Sequence, residues 1–207
     1  IDQIMVSHYS QGSVAAIGNG NQIMNIIILV LSSMTVATTV LISRYFGAGD
    51  PEKAKSVSNA SIYSLSFFSI VVTLLIYGFQ RPLFQWLQVP NEILDETCSY
   101  TVIVSTCVLI QAIYMVFASI LRSHKLMKYV TFVAIIMNTL NILGNAILIN
   151  GLFGFPRLGI IGAAISTNIS KFIGLVIIIL VFLKKTNMGL GFLNLKYFSF
   201  NMAKKVL

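Results

Sequence analysis

Residues 140–170 read LNILGNAILINGLFGFPRLGIIGAAISTNIS. Two apolar runs flank a connection whose glycines and proline break helical periodicity. Extended to residues 129–150 and 159–183, each run supplies the roughly 20 mostly apolar residues that a bilayer span needs. Neither run is uniformly apolar. Asn138, Asn141 and Asn145 fall at i, i+3 and i+7, so a helix projects all three from one face. On the following run Thr167, Asn168, Ser170 and Lys171 crowd one side together with Gly174. Runs of this length in so apolar a chain indicate an all-α, polytopic membrane helix bundle.

The pattern repeats toward the N-terminus, where residues 20–43, 57–79 and 98–121 read as three further spans. The 207-residue chain is 57% hydrophobic and 10% charged, with a mean hydropathy of +0.87, against the roughly one-quarter charged composition of a soluble domain. The opening residues IDQIMVSHYS read as the end of one more helix whose beginning precedes the sequence. About six transmembrane helices are therefore expected over residues 1–183. Residues 184–207, basic and amphipathic, read as the cytoplasmic start of a linker.

A net charge of +8 would suggest nucleic acid in a soluble protein, but the placement of the charges excludes that reading. Arg44, Lys53 and Lys55 follow the span at 20–43; Arg122, Lys125 and Lys128 follow that at 98–121; Lys184, Lys185, Lys196, Lys204 and Lys205 follow the last. The other connections hold only Arg81 and Arg157, and Lys171 lies within a span. Alternating basic connections are cytoplasmic by the positive-inside rule, so the charge excess reports topology.

The connections carry turn chemistry. In FGAGDPEKAKS, Gly47 and Gly49 permit a tight turn, and Asp50 before Pro51 reads as a helix cap followed by the first helical residue. Trp86 in QWLQVPNE fits an interfacial segment. The small residues of GIIGAAIS allow close backbone approach between helices. Gly18–Asn19–Gly20 reads as an irregular helix start. Cys98 and Cys107 stand nine positions apart on one expected helix, about 13 Å, too far to pair.

A second polar stripe lies on the span at 20–43, where Asn21, Asn25, Ser32, Thr39 and Ser43 fall within about 40° of one another. Asp2, about nine residues before the end of its helix, places a carboxylate at membrane depth, where an ionisable group costs on the order of 2.5–3.5 kcal/mol and usually marks a pathway or proton site. Lys171, about eleven residues from either end of its span, reaches water poorly and is a partner for Asp2. His8 and His124 stand at span ends in interfacial positions. No metal-ligand spacing, nucleophile motif or phosphate-cradling loop accompanies them, so neither a metal site nor an enzyme is indicated.

Taken in order, IDQIMVSHYSQGSVAAIGNG, ISRYFGAGDPEKAKS and the stretch at 140–170 resemble the multidrug and toxic compound extrusion (MATE) transporters, over about residues 1–185. The resemblance implies one six-helix lobe, the first, of a two-lobe, twelve-helix transporter in the plasma membrane. Such a transporter exports organic cations or amphipathic drugs against inward movement of H⁺ or Na⁺, with no cofactor beyond the coupling ion. It implies ion coupling at Asp2, Asn141, Asn145 and Thr167, with Asn25, Asn138 and Lys171 lining the cavity. Asn145 stands where many bacterial members carry a second acid, which argues against a two-carboxylate relay and leaves Asp2 as the membrane-embedded acid of this lobe. The segment LRSHKLMK also lacks the Gly-Asp-Thr common at that turn.

The alternative within the same superfamily is a lipid-linked oligosaccharide flippase or polysaccharide exporter. Such a protein calls for a cationic cavity, and only Lys171 is basic within a span. The partners expected are a small-molecule drug or organic cation, the lipid bilayer and a second lobe of the same protein.

Overall fold

The structure is a computed structural model, and it describes residues 11–154, 156–186, 188–194 and 198–206. Asp2 and His8 lie outside the described residues. The elements in chain order are α1 (Gln11–Gly47), α2 (Pro51–Trp86), α3 (Asn91–Ser105), α4 (Val108–Ser123), α5 (Met127–Asn150), α6 (Gly159–Lys185) and α7 (Phe200–Val206). Short 3₁₀ turns stand at Leu152–Gly154 and Gly191–Leu193. Four of the helices are long and apolar enough to cross a membrane, and α3 with α4 makes a fifth span if the pair counts as one.

These helices form where the sequence supplies a long apolar face and are bounded where turn chemistry ends it. On α2, Phe67, Ile70, Val71, Leu74, Leu75 and Phe79 recur at helical spacing and are all exposed. An uninterrupted exposed stripe of this kind would aggregate in water; in a chain with several spans it faces lipid. The protein is a multi-pass membrane protein of all-helical fold.

Contacts divide the chain into two units. The first holds, of the described residues, 11–27 together with Val71–Val108 and Ile136–Ile173. Its core includes Phe84, Val89 and Leu94, against which Ile23, Ile93 and Cys98 pack. Arg81 and Asp95 form an exposed ion pair at 3.2 Å. The second unit holds Ile28–Ile70, Leu109–Ile135 and, of the described residues, 174–206. Leu31, Ile42, Leu65, Phe117, Leu121 and Phe182 are buried there, with Phe117 and Phe182 meeting edge to face at 5.1 Å between centroids. Hydroxyls serve as inter-helix contacts in this unit: Thr38 and Ser61 are 2.9 Å apart, and Ser119 donates to the Thr35 carbonyl at 3.2 Å.

The GAGDP connection forms as the sequence indicates. Asp50 Oδ1 accepts from the Lys53 backbone N–H at 3.1 Å, and Gly49 takes the left-handed φ of +70°. Gly47 instead closes α1 in a helical conformation. The segment after α6 packs within the same unit, where the Asn59 amide donates to the Asn194 carbonyl at 3.1 Å and Tyr63 to that of Leu193 at 2.9 Å.

Two local expectations are corrected. Gly18–Asn19–Gly20 is no helix start but lies inside α1, which begins at Gln11. Close packing accounts for the second glycine, since a Cβ on Gly20 would stand 2.7 Å from Thr101 Oγ1 and 2.8 Å from the Tyr100 ring. The span at 98–121 is not one continuous helix, because α3 ends at Ser105 and α4 begins at Val108. Ser105 Oγ donates to the Val102 carbonyl at 2.8 Å and Thr106 Oγ1 to that of Ile103 at 2.7 Å. Cys107 N–H turns to Val104 at 3.2 Å, an i−3 bond that tightens the last turn. Cys98 and Cys107 are both free thiols.

Candidate functional site

The parts of α5 and α6 that belong to the first unit are brought together by residues without bulk. Gly151, Gly154 and Gly159 take positive φ values of 71°, 83° and 51° in the connection, conformations that cost other residues strain. Leu158 N–H returns to the Leu148 carbonyl at 3.0 Å. A Cβ on Gly162 would stand 2.6 Å from that same carbonyl oxygen, and one on Gly144 would collide with Ser166 Oγ. The small residues of GIIGAAIS thus set the separation of the helices, as close packing in lipid requires.

At that separation the amides of α5 meet the hydroxyls of α6. Asn141 Nδ2 donates to Thr167 Oγ1 at 3.1 Å, and Thr167 in turn donates to the Ala163 carbonyl at 3.0 Å. Asn145 Nδ2 lies 3.5 Å from Asn141 Oδ1, a long contact, and Asn145 is fully buried. Ser166 Oγ donates to the Asn141 backbone carbonyl at 3.0 Å. Three of the residues singled out from sequence therefore form one connected chain, Asn145 to Asn141 to Thr167. Such a chain of neutral donors and acceptors can reverse its hydrogen bonds without separating charge.

The remaining candidates are placed differently. Asn138 and Asn25 are exposed and stand outside this chain, so the three-amide stripe of α5 resolves into a joined pair and a free-standing third member. Lys171, one turn beyond Thr167, is partly buried. Asp2, and with it the pairing with Lys171, lies outside the described residues.

Other polar contacts went unrecognised in the sequence. Asn168 Nδ2 donates to the Ile103 carbonyl at 2.7 Å and to Thr106 Oγ1 at 3.1 Å, while Cys107 Sγ approaches the Asn168 carbonyl at 3.9 Å. Asn168 thereby serves the interruption between α3 and α4. Thr73 Oγ1 donates to the Ser105 carbonyl at 3.1 Å, so that freed group is also met. Tyr100 donates to Asn21 Oδ1 at 3.0 Å, linking α3 to α1. The signal for the interruption was present in the Ser-Thr pair at 105–106, since consecutive hydroxyls can bond back to their own carbonyls.

The sequence model of the MatE family matches residues 1–147. YisQ of Bacillus subtilis strain 168, described as an uncharacterized transporter, is 37% identical over 190 residues, covering 92% of this chain and 42% of that protein. A probable multidrug resistance protein NorM of Thermotoga maritima is 28% identical over 189 residues, covering 89% of this chain and 40% of that one. The chain thus spans about two fifths of the length of these curated relatives. Among solved structures, the inward-facing conformation of a multidrug resistance MATE family transporter of the MOP superfamily matches all of this chain and 46% of its own, with a TM-score of 0.89 at 24% identity. A MOP superfamily transporter from Pyrococcus furiosus, whose binding pocket is described as of reverse polarity, matches with a TM-score of 0.87 at 26% identity, over all of this chain and 45% of its own.

Proposed function

The chain belongs to the MatE family, and from that premise we propose that it forms the N-terminal lobe of a plasma-membrane antiporter that exports organic cations or amphipathic drugs. Inward movement of H⁺ or Na⁺ drives the export. The reading extends to the domain boundaries, with residues 1–183 as the lobe and 184–207 as the start of the connection to a second lobe. Transport, not catalysis, is the activity, and it requires both lobes.

The observation that carries this reading is the Asn145–Asn141–Thr167 chain joining α5 to α6 inside a span pair. Membrane hydrogen bonds average only about 0.6 kcal/mol, so three polar groups aligned at one place add little as structural glue. As part of an ion path they have a use. Asp2 supplies the titratable or Na⁺-binding group. Amides and hydroxyls can hydrogen-bond its carboxyl in either state, so the polar chain persists while its preferred geometry changes with the ion. An ion that binds one arrangement better shifts the packing of the lobe toward it, and alternating access converts that shift into release of the exported compound. Lys171, Asn25 and Asn138 complete the cavity lining in this reading.

The test is ethidium efflux from cells expressing the full-length protein, under imposed pH or Na⁺ gradients. Export by the wild type, lost in Asp2→Asn and impaired in an Asn141→Leu, Asn145→Leu double variant that still inserts, supports the reading, and the effective gradient identifies the ion. Undiminished export by both variants removes the coupling site from this lobe. Absence of export by the wild type rejects the drug-efflux assignment.

A further inference from the structure

We propose that the second unit carries a binding site for the phosphate of an anionic glycerophospholipid, at the ends of α1, α2, α4 and α6. A cavity of about 360 Å³ opens there, within the range of roughly 300–1,000 Å³ typical of small-molecule pockets. Lys55 of α2, Lys185 at the end of α6 and Thr186 line it, and no described acidic residue does. The remaining wall is apolar or aromatic, formed by Phe46, Met188 and neighbours. Phe46 meets His124 edge-on at 4.5 Å between centroids, which fixes one side of the opening.

The electrostatics favour an anion. Lys55 has a side chain only 28% exposed, and the carboxylate it meets, Glu52 at 2.8 Å, is 63% exposed. The Lys55 side chain is mostly sheltered while Glu52 is solvated, so this pair offsets little of the positive potential that the lysines place along the cavity. Lys185 and Lys128 both lie over the Tyr129 ring, at 5.3 Å and 5.2 Å from its centroid. Lys128 does not line the cavity, but its charge beside Lys185 adds to the positive potential there. Asp50 already occupies the N-terminus of α2, so the attraction comes from the side chains and not from the helix end.

A lipid source fits better than free phosphate. These helix ends carry the alternating basic connections that the positive-inside rule assigns to the cytoplasmic leaflet, whose anionic lipids attract clustered lysines at headgroup level. The apolar wall suits the glycerol and first methylenes of a lipid, whereas a free phosphate would leave it wet. The proposal rests on the topology and is independent of which compound the protein exports.

The test is native mass spectrometry of the delipidated full-length protein titrated with phosphatidylglycerol, phosphatidylethanolamine or inorganic phosphate. The wild type is expected to prefer phosphatidylglycerol over phosphatidylethanolamine. Lys55→Met with Lys185→Gln, which keeps the aliphatic stem of Lys55, should weaken phosphatidylglycerol binding roughly tenfold and abolish the preference. Lys185→Glu alone changes an exposed residue and should act in the same direction if the double variant does not fold. Lysine-dependent binding of inorganic phosphate with no lipid preference would retain the oxyanion site and reject the lipid source. Equal phosphatidylglycerol binding by wild type and folded variants would overturn the proposal.

Discussion

Asn168 Nδ2 stands 2.7 Å from the carbonyl oxygen of Ile103, one turn before the place where α3 gives out. The same amide reaches Thr106 Oγ1 at 3.1 Å, so one side chain of α6 serves both the last turn of α3 and the interruption after it. At membrane depth a freed carbonyl has no water to turn to, and a protein donor must supply the bond.

Asn168→Leu is therefore expected to destabilise the protein by about 1 kcal/mol, since it removes two hydrogen bonds that average about 0.6 kcal/mol each in membranes. Thermal melting of the purified protein in detergent measures this. Asn168→Gln, which keeps the donor on a longer arm, should recover part of the loss. Melting of the leucine variant at the wild-type temperature would show that the interruption needs no pin.

The contact of Asn141 with Thr167 should register as a coupling. Asn141→Leu and Thr167→Val each remove one end of the 3.1 Å bond, and the double variant should lose less than the sum of the singles by about 0.6 kcal/mol. Denaturation in mixed micelles, read as a double-mutant cycle, supplies the four free energies. Strict additivity would mean that the two side chains do not exchange a bond in the membrane.

Much of this arrangement was legible in the residues. Periodicity and length located every described span, since a bilayer demands a long apolar run whatever the neighbours do. The GAGDP turn was readable because its chemistry is local: Asp50 and Gly49 act within four residues of themselves. Gly162 was readable as a point of close approach, although its partner, the Leu148 carbonyl, was not. What escaped was tertiary. Nothing in the spacing of Asn138, Asn141 and Asn145 tells that the first is exposed while the other two join Thr167, because that depends on where α6 crosses α5. The interruption at 106–107 escaped because the apolar runs on either side of Ser105 and Thr106 together have the length of one span. Hydroxyl-to-carbonyl bonds and a donor some sixty residues away, at Asn168, decide it.

The cap at Asp50 gives a pH dependence of definite sign. Its carboxyl titrates below the ordinary 3.8, chiefly because the Lys53 ammonium hydrogen-bonds it and secondly because the Lys53 backbone N–H does. An acid whose pKa is depressed by folding contributes stability that is complete above its unfolded value and lost as pH falls through the lower, folded one. Hydrogen-exchange protection of the Lys53 amide, corrected for the intrinsic rate, should stay level from neutral pH down to about 4 and decline only below it. Asp50→Ala should show the lowered protection at every pH; a wild-type profile in that variant would remove the cap.

Gly162 and Gly78 set a contrast between two glycines of transmembrane helices. A Cβ at Gly162 would meet the Leu148 carbonyl oxygen at 2.6 Å and its carbon at 2.8 Å, backbone atoms that can give way only if α5 and α6 separate. At Gly78 nothing lies within 4 Å of the added carbon. Gly162→Ala should cost about 1–3 kcal/mol by overpacking, and it should weaken transport as well, since the Asn141–Thr167 bond depends on the same separation. Gly78→Ala should instead stabilise by about 0.5–1 kcal/mol, because alanine restricts the unfolded chain and gains helix propensity without a clash. Melting temperatures of the two variants should therefore move in opposite directions from the wild type. A neutral Gly162→Ala would mean that the helices pack further apart in the bilayer than the structure places them.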